Sequence, residues 1–203
     1  MDARRAFATG LLLWPGAVLA GTVPQDTVRA QWKSILEDEV KVRCGKWEAS
    51  KWCEARTVLP GSTDAIRSMM EEVEGLPELF PRMVSMKRVA PGIYHQIIDY
   101  PFPYDDRDLV VAFSWTRSET SHILQWHSVD QPSVTSVGVR LTRAQGQFQL
   151  QPRPDGLTDL TYVWRGDLGP GVPEWVWPFA WKSQAREVVE GMTEGLRQAR
   201  ERP

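Results

Sequence analysis

The stretch Tyr100-Pro101-Phe102-Pro103-Tyr104-Asp105-Asp106-Arg107-Asp108-Leu109-Val110-Val111-Ala112-Phe113-Ser114-Trp115 changes character twice, and its reading decides the fold. An aromatic and proline corner gives way to a dense charge cluster, then to a run of β-formers. The prolines donate no backbone hydrogen bond, so the corner cannot continue a ladder. From Leu109 onward the apolar residues suit a strand, with Val111, Phe113 and Trp115 on one face. Asp105, Asp106 and Asp108 could in principle supply paired catalytic carboxylates. The stronger reading packs the aromatic corner at a sheet edge and uses Arg107 to anchor it through ion pairs or backbone carbonyls.

Outward from this strand the same texture persists. Short alternating runs, separated by Pro and Gly, fall at about 83–90, 93–100, 108–116, 121–129, 136–150 and 157–167, which is the pattern of an antiparallel meander. Leu124 and Trp126 share a face, as do Val137, Val139 and Leu141, and then Leu160, Tyr162 and Trp164. One side of this sheet is therefore strongly aromatic. After it comes the longest predicted helix, Pro173 to about Arg200, with an apolar stripe through Val176, Phe179, Ala180, Val188, Met192 and Leu196. Pro173 suits its first turn; Pro178 predicts a kink or a displaced start. Upstream, Thr27–Glu37 carries apolar residues at helical spacing and is read as a short helix. Strands Val40–Cys44 and Cys53–Val58 follow, joined by a turn centred on Glu48-Ala49. Ser62 then caps a helix running to about Glu74.

The chain has 203 residues, a size that suits one domain able to bury a core and still enclose a pocket. Hydrophobic residues make up 42% and charged residues 25%, the balance of a globule rather than of a disordered chain. The net charge of −2 offers no basic footprint for nucleic acid. Ten Trp residues demand a large core or a ligand chamber, because each adds wide apolar area with one N–H to satisfy.

Residues 1–20 read as a secretory signal peptide. Arg4 and Arg5 precede the apolar run Ala6–Leu19, and Val18-Leu19-Ala20 offers a cleavage point before Gly21. The remaining domain, 21–203, is thus expected to be exported to the periplasm or secreted. In that setting Cys44 and Cys53, placed opposite each other across the predicted hairpin, are expected to form a disulfide.

No nucleophile elbow, phosphate loop or zinc-helix motif is present in the sequence. His122 and His127 point to opposite faces of one strand, so they share neither a proton nor a metal. No catalytic residue, metal or cofactor is expected.

Residues 100–110 resemble the P-x-P-x-x-R-D-[FL]-V signature of START domains, the lipid-transfer family related to the steroidogenic acute regulatory protein. A second stretch, Asp167-Leu168-Gly169-Pro170-Gly171-Val172-Pro173-Glu174-Trp175-Val176, is similar to the family's D-x-x-G-x-[IV]-P-x-W-[LV], and Val139-Arg140 falls between them where the family often carries a V-R strand. The resemblance spans approximately residues 27–199. It implies an α+β helix-grip fold: a curved antiparallel sheet wrapped around a long C-terminal helix, enclosing a cavity. Arg107, Asp108, Asp167, Gly169, Pro173 and Trp175 are then the structural motif. Phe113 stands about where some sterol-binding relatives place a buried Arg.

The implied function is to bind or transfer one apolar ligand, a lipid or similar small molecule, held in that cavity. Strand alternation assigns its wall to Phe113, Trp115, Leu124, Trp126, Val139, Phe148, Tyr162 and Trp164. The helix stripe adds Val176, Phe179, Ala180 and Ser183. A gate is expected where the loop Val129–Thr135 meets the helix near Trp175–Phe179. The domain is expected to be a monomer with transient membrane contact and no nucleic-acid partner. The alternative is an enzyme of the polyketide cyclase or hydrolase kind on the same grip fold. A third reading, regulation of a partner protein through an aromatic surface, requires a large exposed Trp patch.

Overall fold

The computed structural model describes residues 23–118 and 120–201; the proposed signal peptide and its cleavage point lie outside the described residues. The elements in chain order are helix α1 (Asp26–Arg29), strands β1 (Lys33–Glu37), β2 (Lys41–Trp47) and β3 (Ser50–Leu59), helix α2 (Thr63–Glu71) and a 3-10 helix (Val73–Glu78). Strands β4 (Met83–Ala90), β5 (Ile93–Ile98), β6 (Arg107–Arg117), β7 (His122–Ser128), β8 (Val139–Arg140), β9 (Gln145–Pro152) and β10 (Thr158–Arg165) follow. A 3-10 turn (Glu174–Val176) leads into α3 (Trp177–Glu201).

The strands form one curved sheet in the order β1-β2-β3-β10-β9-β7-β6-β5-β4, with β8 paired in parallel to β6. The other pairings are antiparallel, as a meander requires. β1 and β4 are the free edges, so the sheet is not a closed barrel. Helix α3 crosses the inner face and buries Trp181, Ala185, Val189, Met192 and Leu196 there. Gly191 lets it approach the end of the 3-10 helix: a Cβ at that position would sit 2.3 Å from the Leu79 carbonyl oxygen. Among the described residues, no helix is long and apolar enough to cross a membrane.

Four sequence expectations require correction. The helix expected over Thr27–Glu37 is only one turn, α1, because β1 gains a hydrogen-bonded partner in β2 that a short isolated helix cannot match. Its Trp32 lies against Gly45, where a Cβ would meet the indole at 2.2 Å. The strand expected over 136–150 is broken into β8 and β9, since Val139 and Leu141 donate to the Asp106 and Asp108 carbonyls beside β6. Helix α2 stops at Glu71, short of Glu74, and continues as the 3-10 helix around Gly75-Leu76-Pro77; its expected cap is present, with Ser62 Oγ accepting from the Ala65 N–H at 3.2 Å. Finally, Pro173 caps the 3-10 turn, and it is Pro178 that occupies the first turn of α3, where a missing N–H removes no helical bond.

Strands β2 and β3 form a tight hairpin in which Cys44 and Cys53 are direct partners and are joined by a disulfide. Its loop residues Glu48 and Ala49 both have positive φ, at 48° and 61°. Two-residue hairpin loops need that geometry, and it favours Asn-Gly over the residues found here.

Candidate functional site

Between α3 and the inner face of β4–β6, β7, β9 and β10 lies a cavity of about 400 Å³. Its deepest wall is aromatic. Phe148 on β9 and Tyr162 on β10 are register partners whose rings stack at 4.2 Å, and Trp164, two residues along the same face, stacks on Tyr162 at 4.6 Å. Trp126 and Phe113 extend this wall across β7 and β6, and Tyr94 meets Phe113 edge-on at 5.7 Å. Tyr162 is buried, and its hydroxyl accepts a hydrogen bond from Gln184 Nε2 at 3.2 Å. Burial pushes that hydroxyl well above the usual tyrosine range, although the Gln184 contact works the other way, so it stays protonated. Val176, Phe179, Ala180 and Val188 from α3 close the opposite side.

The cavity opens where its wall meets solvent, at Pro81, Pro101, Asp167, Phe179 and Ser183. Arg82 and Glu187 stand at this mouth as a two-point ion pair: Nε to Oε2 at 2.8 Å and Nη2 to Oε1 at 2.9 Å. Ser183 Oγ donates to the same Glu187 Oε1 at 3.1 Å. Beside the mouth, Phe102, next to Pro101, and Trp175, next to Val176, are 97% and 73% exposed, and the lining residue Phe179 is 66% exposed, so aromatic surface continues from the cavity into solvent.

The charged cluster at the start of β6 holds this mouth in place. Arg107 is fully buried, donating from Nε to the Leu168 carbonyl at 2.9 Å, from Nη2 to that of Pro170 at 3.2 Å, and from Nη1 to that of Asp105. Its guanidinium also lies over the Tyr100 ring at 4.6 Å. Thus one side chain ties the corner before β6 to the segment before α3. Asp108 points into a separate buried network, accepting from His95 Nε2, Arg140 Nε and Ser136 Oγ, each at 2.8 Å. Burial alone would raise its pKa, but these three hydrogen bonds outweigh it and hold the carboxyl below the usual range. Asp167 Oδ1 accepts from the Gly169 N–H at 2.9 Å, and Gly169 has φ +80°, with space beside it only because it lacks a Cβ.

The START domain family model matches residues 86–202, more than half of the sequence. This chain belongs to the START domain family. An uncharacterised protein of Pseudomonas aeruginosa is 25% identical to this START domain over 163 residues, covering 76% of this chain and 81% of that one. Human StAR-related lipid transfer protein 8 is 31% identical over 96 residues, which are 44% of this chain and 9% of that much longer one. Among solved structures, the STAR-related lipid transfer protein of Xanthomonas axonopodis superposes with a TM-score of 0.71 at 19% identity, covering 82% of this chain and 98% of that one. Human STARD10 gives 0.72 at 16% identity, covering 91% and 84%. Both share the helix-grip fold seen here.

Within this START domain, the cavity brings together Phe113, Trp126, Phe148, Tyr162, Trp164, Val176, Phe179, Ala180 and Ser183. Three of the expected wall residues stand elsewhere. Trp115 is carried past the cavity toward α2, where Arg67 lies over its ring at 5.7 Å. Leu124, its partner across β7, is fully buried in the core. Val139 packs under the Gly169 turn. All three have the right alternation but lie beyond the cavity's extent along their strands. The loop Val129–Thr135 also contributes nothing to the wall; it is held by Arg140, which donates to the Val134 carbonyl at 3.1 Å. The mouth is formed instead by Pro81, by Pro101 of the corner before β6, by Asp167, and by Phe179 and Ser183 of α3. Trp175 is exposed and belongs to neither wall nor core.

Sequence reasoning missed Arg82, Gln96, Tyr100 and Glu187. Arg82 lies in an aperiodic stretch between the 3-10 helix and β4, and carries no pattern. Glu187 did leave a signal: it is an acid beside Val188 on an otherwise apolar stripe, four residues after Ser183. The three His do not converge. His95 binds Asp108, His122 Nε2 lies 3.3 Å from Asp64, and His127 is depressed in pKa by burial. No metal-binding cluster is found among the described residues.

Proposed function

We propose that this START domain is a carrier that holds one elongated apolar ligand between α3 and the aromatic wall. The observation that supports this reading best is the cavity of about 400 Å³ walled by Phe113, Trp126, Phe148 and Trp164. A chain leaving water for such a chamber gains about 0.8 kcal/mol per CH₂, so affinity needs little beyond shape. Exposed Phe102, Trp175 and Phe179 at and beside the mouth suit brief contact with a membrane from which the ligand is taken. The resemblance to proteins named for lipid transfer agrees with this reading.

The leader at residues 1–20 extends the proposal: the domain works in the periplasm or outside the cell, as a monomer, moving its ligand through water. Native mass spectrometry of the purified protein, followed by organic extraction, tests the carrier reading. It is expected to yield a single apolar adduct per chain that extraction removes. N-terminal sequencing of exported protein is expected to begin at or near Gly21.

A further inference from the structure

The mouth carries more polarity than a hydrocarbon needs. Arg82 and Glu187 face each other across it, Arg82 from the segment before β4 and Glu187 from α3, with the Ser183 hydroxyl on the same carboxylate. Each side chain is 30% exposed, so the pair is reachable and is not sealed into the core. From there the wall runs inward to Ala180, Tyr162 and Phe148, which are apolar or occupied by internal hydrogen bonds. The chamber is thus graded, with an ion pair at the rim and aromatic rings at the base.

Two physical arguments set the ligand class. The first is size: a cavity of about 400 Å³ lies toward the lower end of the roughly 300–1,000 Å³ range of small-molecule pockets. That suits a ligand with a single acyl chain. The second is charge. Arg82 and Glu187 neutralise each other, so an incoming carboxylate meets attraction and repulsion of similar size while giving up its hydration. A hydroxyl suffers no such loss: it donates to a free lone pair of the Glu187 carboxylate and accepts from an N–H of Arg82 not used in the pair.

Building on the carrier reading, we propose that Arg82 and Glu187, aided by Ser183, are the headgroup station of this cavity and select single-chain amphiphiles whose head is uncharged and bears hydroxyl groups, over fatty acids of the same chain length. The pair then determines specificity, and the aromatic wall supplies affinity.

Displacement of the neutral apolar dye Nile red tests this with two competitors of equal chain length, 1-monopalmitoylglycerol and palmitate, at pH 8. In the wild type the monoacylglycerol is expected to compete at least tenfold better. Glu187→Gln leaves Arg82 uncompensated and is expected to favour palmitate, narrowing that ratio to about one or reversing it. Arg82→Gln leaves Glu187 uncompensated and is expected to widen it. Opposite shifts from two variants with matching thermal melts are not produced by a general loosening of the mouth. Equal competition in the wild type, or variants that speed exchange of both ligands without changing their ratio, would overturn the headgroup assignment. Nile red uptake would leave the carrier reading standing in that case. Absence of Nile red uptake together with absence of any lipid adduct would remove both.

Discussion

Arg107 Nε donates to the Leu168 carbonyl oxygen at 2.9 Å across 61 positions of sequence, joining the two stretches that carry the START resemblance. The segment Asp167–Val172 has little regular structure of its own, so its backbone carbonyls depend on this side chain. Arg107→Ala is therefore expected to cost about 3 kcal/mol, from unsatisfied buried carbonyls and the void left behind. Arg107→Lys should recover less than half of that, because an ammonium cannot reproduce the planar fork. Chemical denaturation measures both, and a loss below about 1 kcal/mol for Arg107→Ala would contradict the anchoring role.

How much of this was legible beforehand follows from which contacts are local. The alternation in 107–117, 122–128 and 158–165 is a property of each strand alone, and so the wall residues Phe113, Trp126, Tyr162 and Trp164 could be read from it. Alternation says nothing of where along a strand a cavity ends, so by itself it assigns Trp115 and Leu124 to the wall as well. Arg82 and Glu187 meet across 105 positions, a relationship that no local pattern encodes. The segment Thr27–Glu37 failed for a related reason: its helical spacing was real, but pairing with β2 outweighed it.

Stability should depend on pH at both extremes. Burial would raise the carboxyls of Asp108 and Glu54, but hydrogen bonds from arginine, and for Asp108 also from His95 and Ser136, hold both below the usual range. Such groups contribute stability above the unfolded carboxylate value of about 4, and the contribution is lost as pH falls through their lower folded values. Tyr162 and Tyr100 are raised by burial, so their contribution is complete below the unfolded tyrosine value of about 10 and is lost as pH climbs beyond it. Burial of His127 lowers its pKa, so its contribution is lost as pH falls below the unfolded histidine value of about 6.5. Melting temperature is therefore expected to be level from about pH 7 to about pH 10, to decline gently below about pH 6.5 and to fall more steeply below about pH 4 and above about pH 10. A melting temperature unchanged from pH 6 to pH 3 would sink the acid limb.

The hairpin of β2 and β3 combines an unfavourable turn with a covalent cross-link. Replacing Cys44 and Cys53 by Ser releases a separation of 9 residues, for which chain entropy predicts a loss of about 2 to 3 kcal/mol. Adding Glu48→Asn and Ala49→Gly, which suit positive φ, should return about 1 kcal/mol or more. Urea titration of the two variants checks this, and an unchanged midpoint on adding the turn substitutions would argue that the turn is not strained.

Gly146 gives access to the wall without touching the ligand side of any residue. A Cβ there would lie 2.8 Å from the Trp126 indole, so Gly146→Val must push that ring toward the cavity. Ligand affinity is expected to fall at least tenfold, with a stability loss of about 1 to 3 kcal/mol from the overpacking. Full affinity in this variant would show that Trp126 is not part of the binding wall.

Carrier function requires the space beside Ala180 to belong to a ligand and not to the core. Ala180 lines the cavity from α3, and an indole in its place would occupy much of the 400 Å³. Fluorescent-lipid binding to Ala180→Trp, read together with its thermal melt, tests this most directly. A fold as stable as the wild type to within about 1 kcal/mol is expected, since a roomy chamber accepts the ring, together with loss of binding by tenfold or more. An Ala180→Trp variant that unfolds, alongside a wild type that takes up no fatty acid, acylglycerol or sterol, would contradict it.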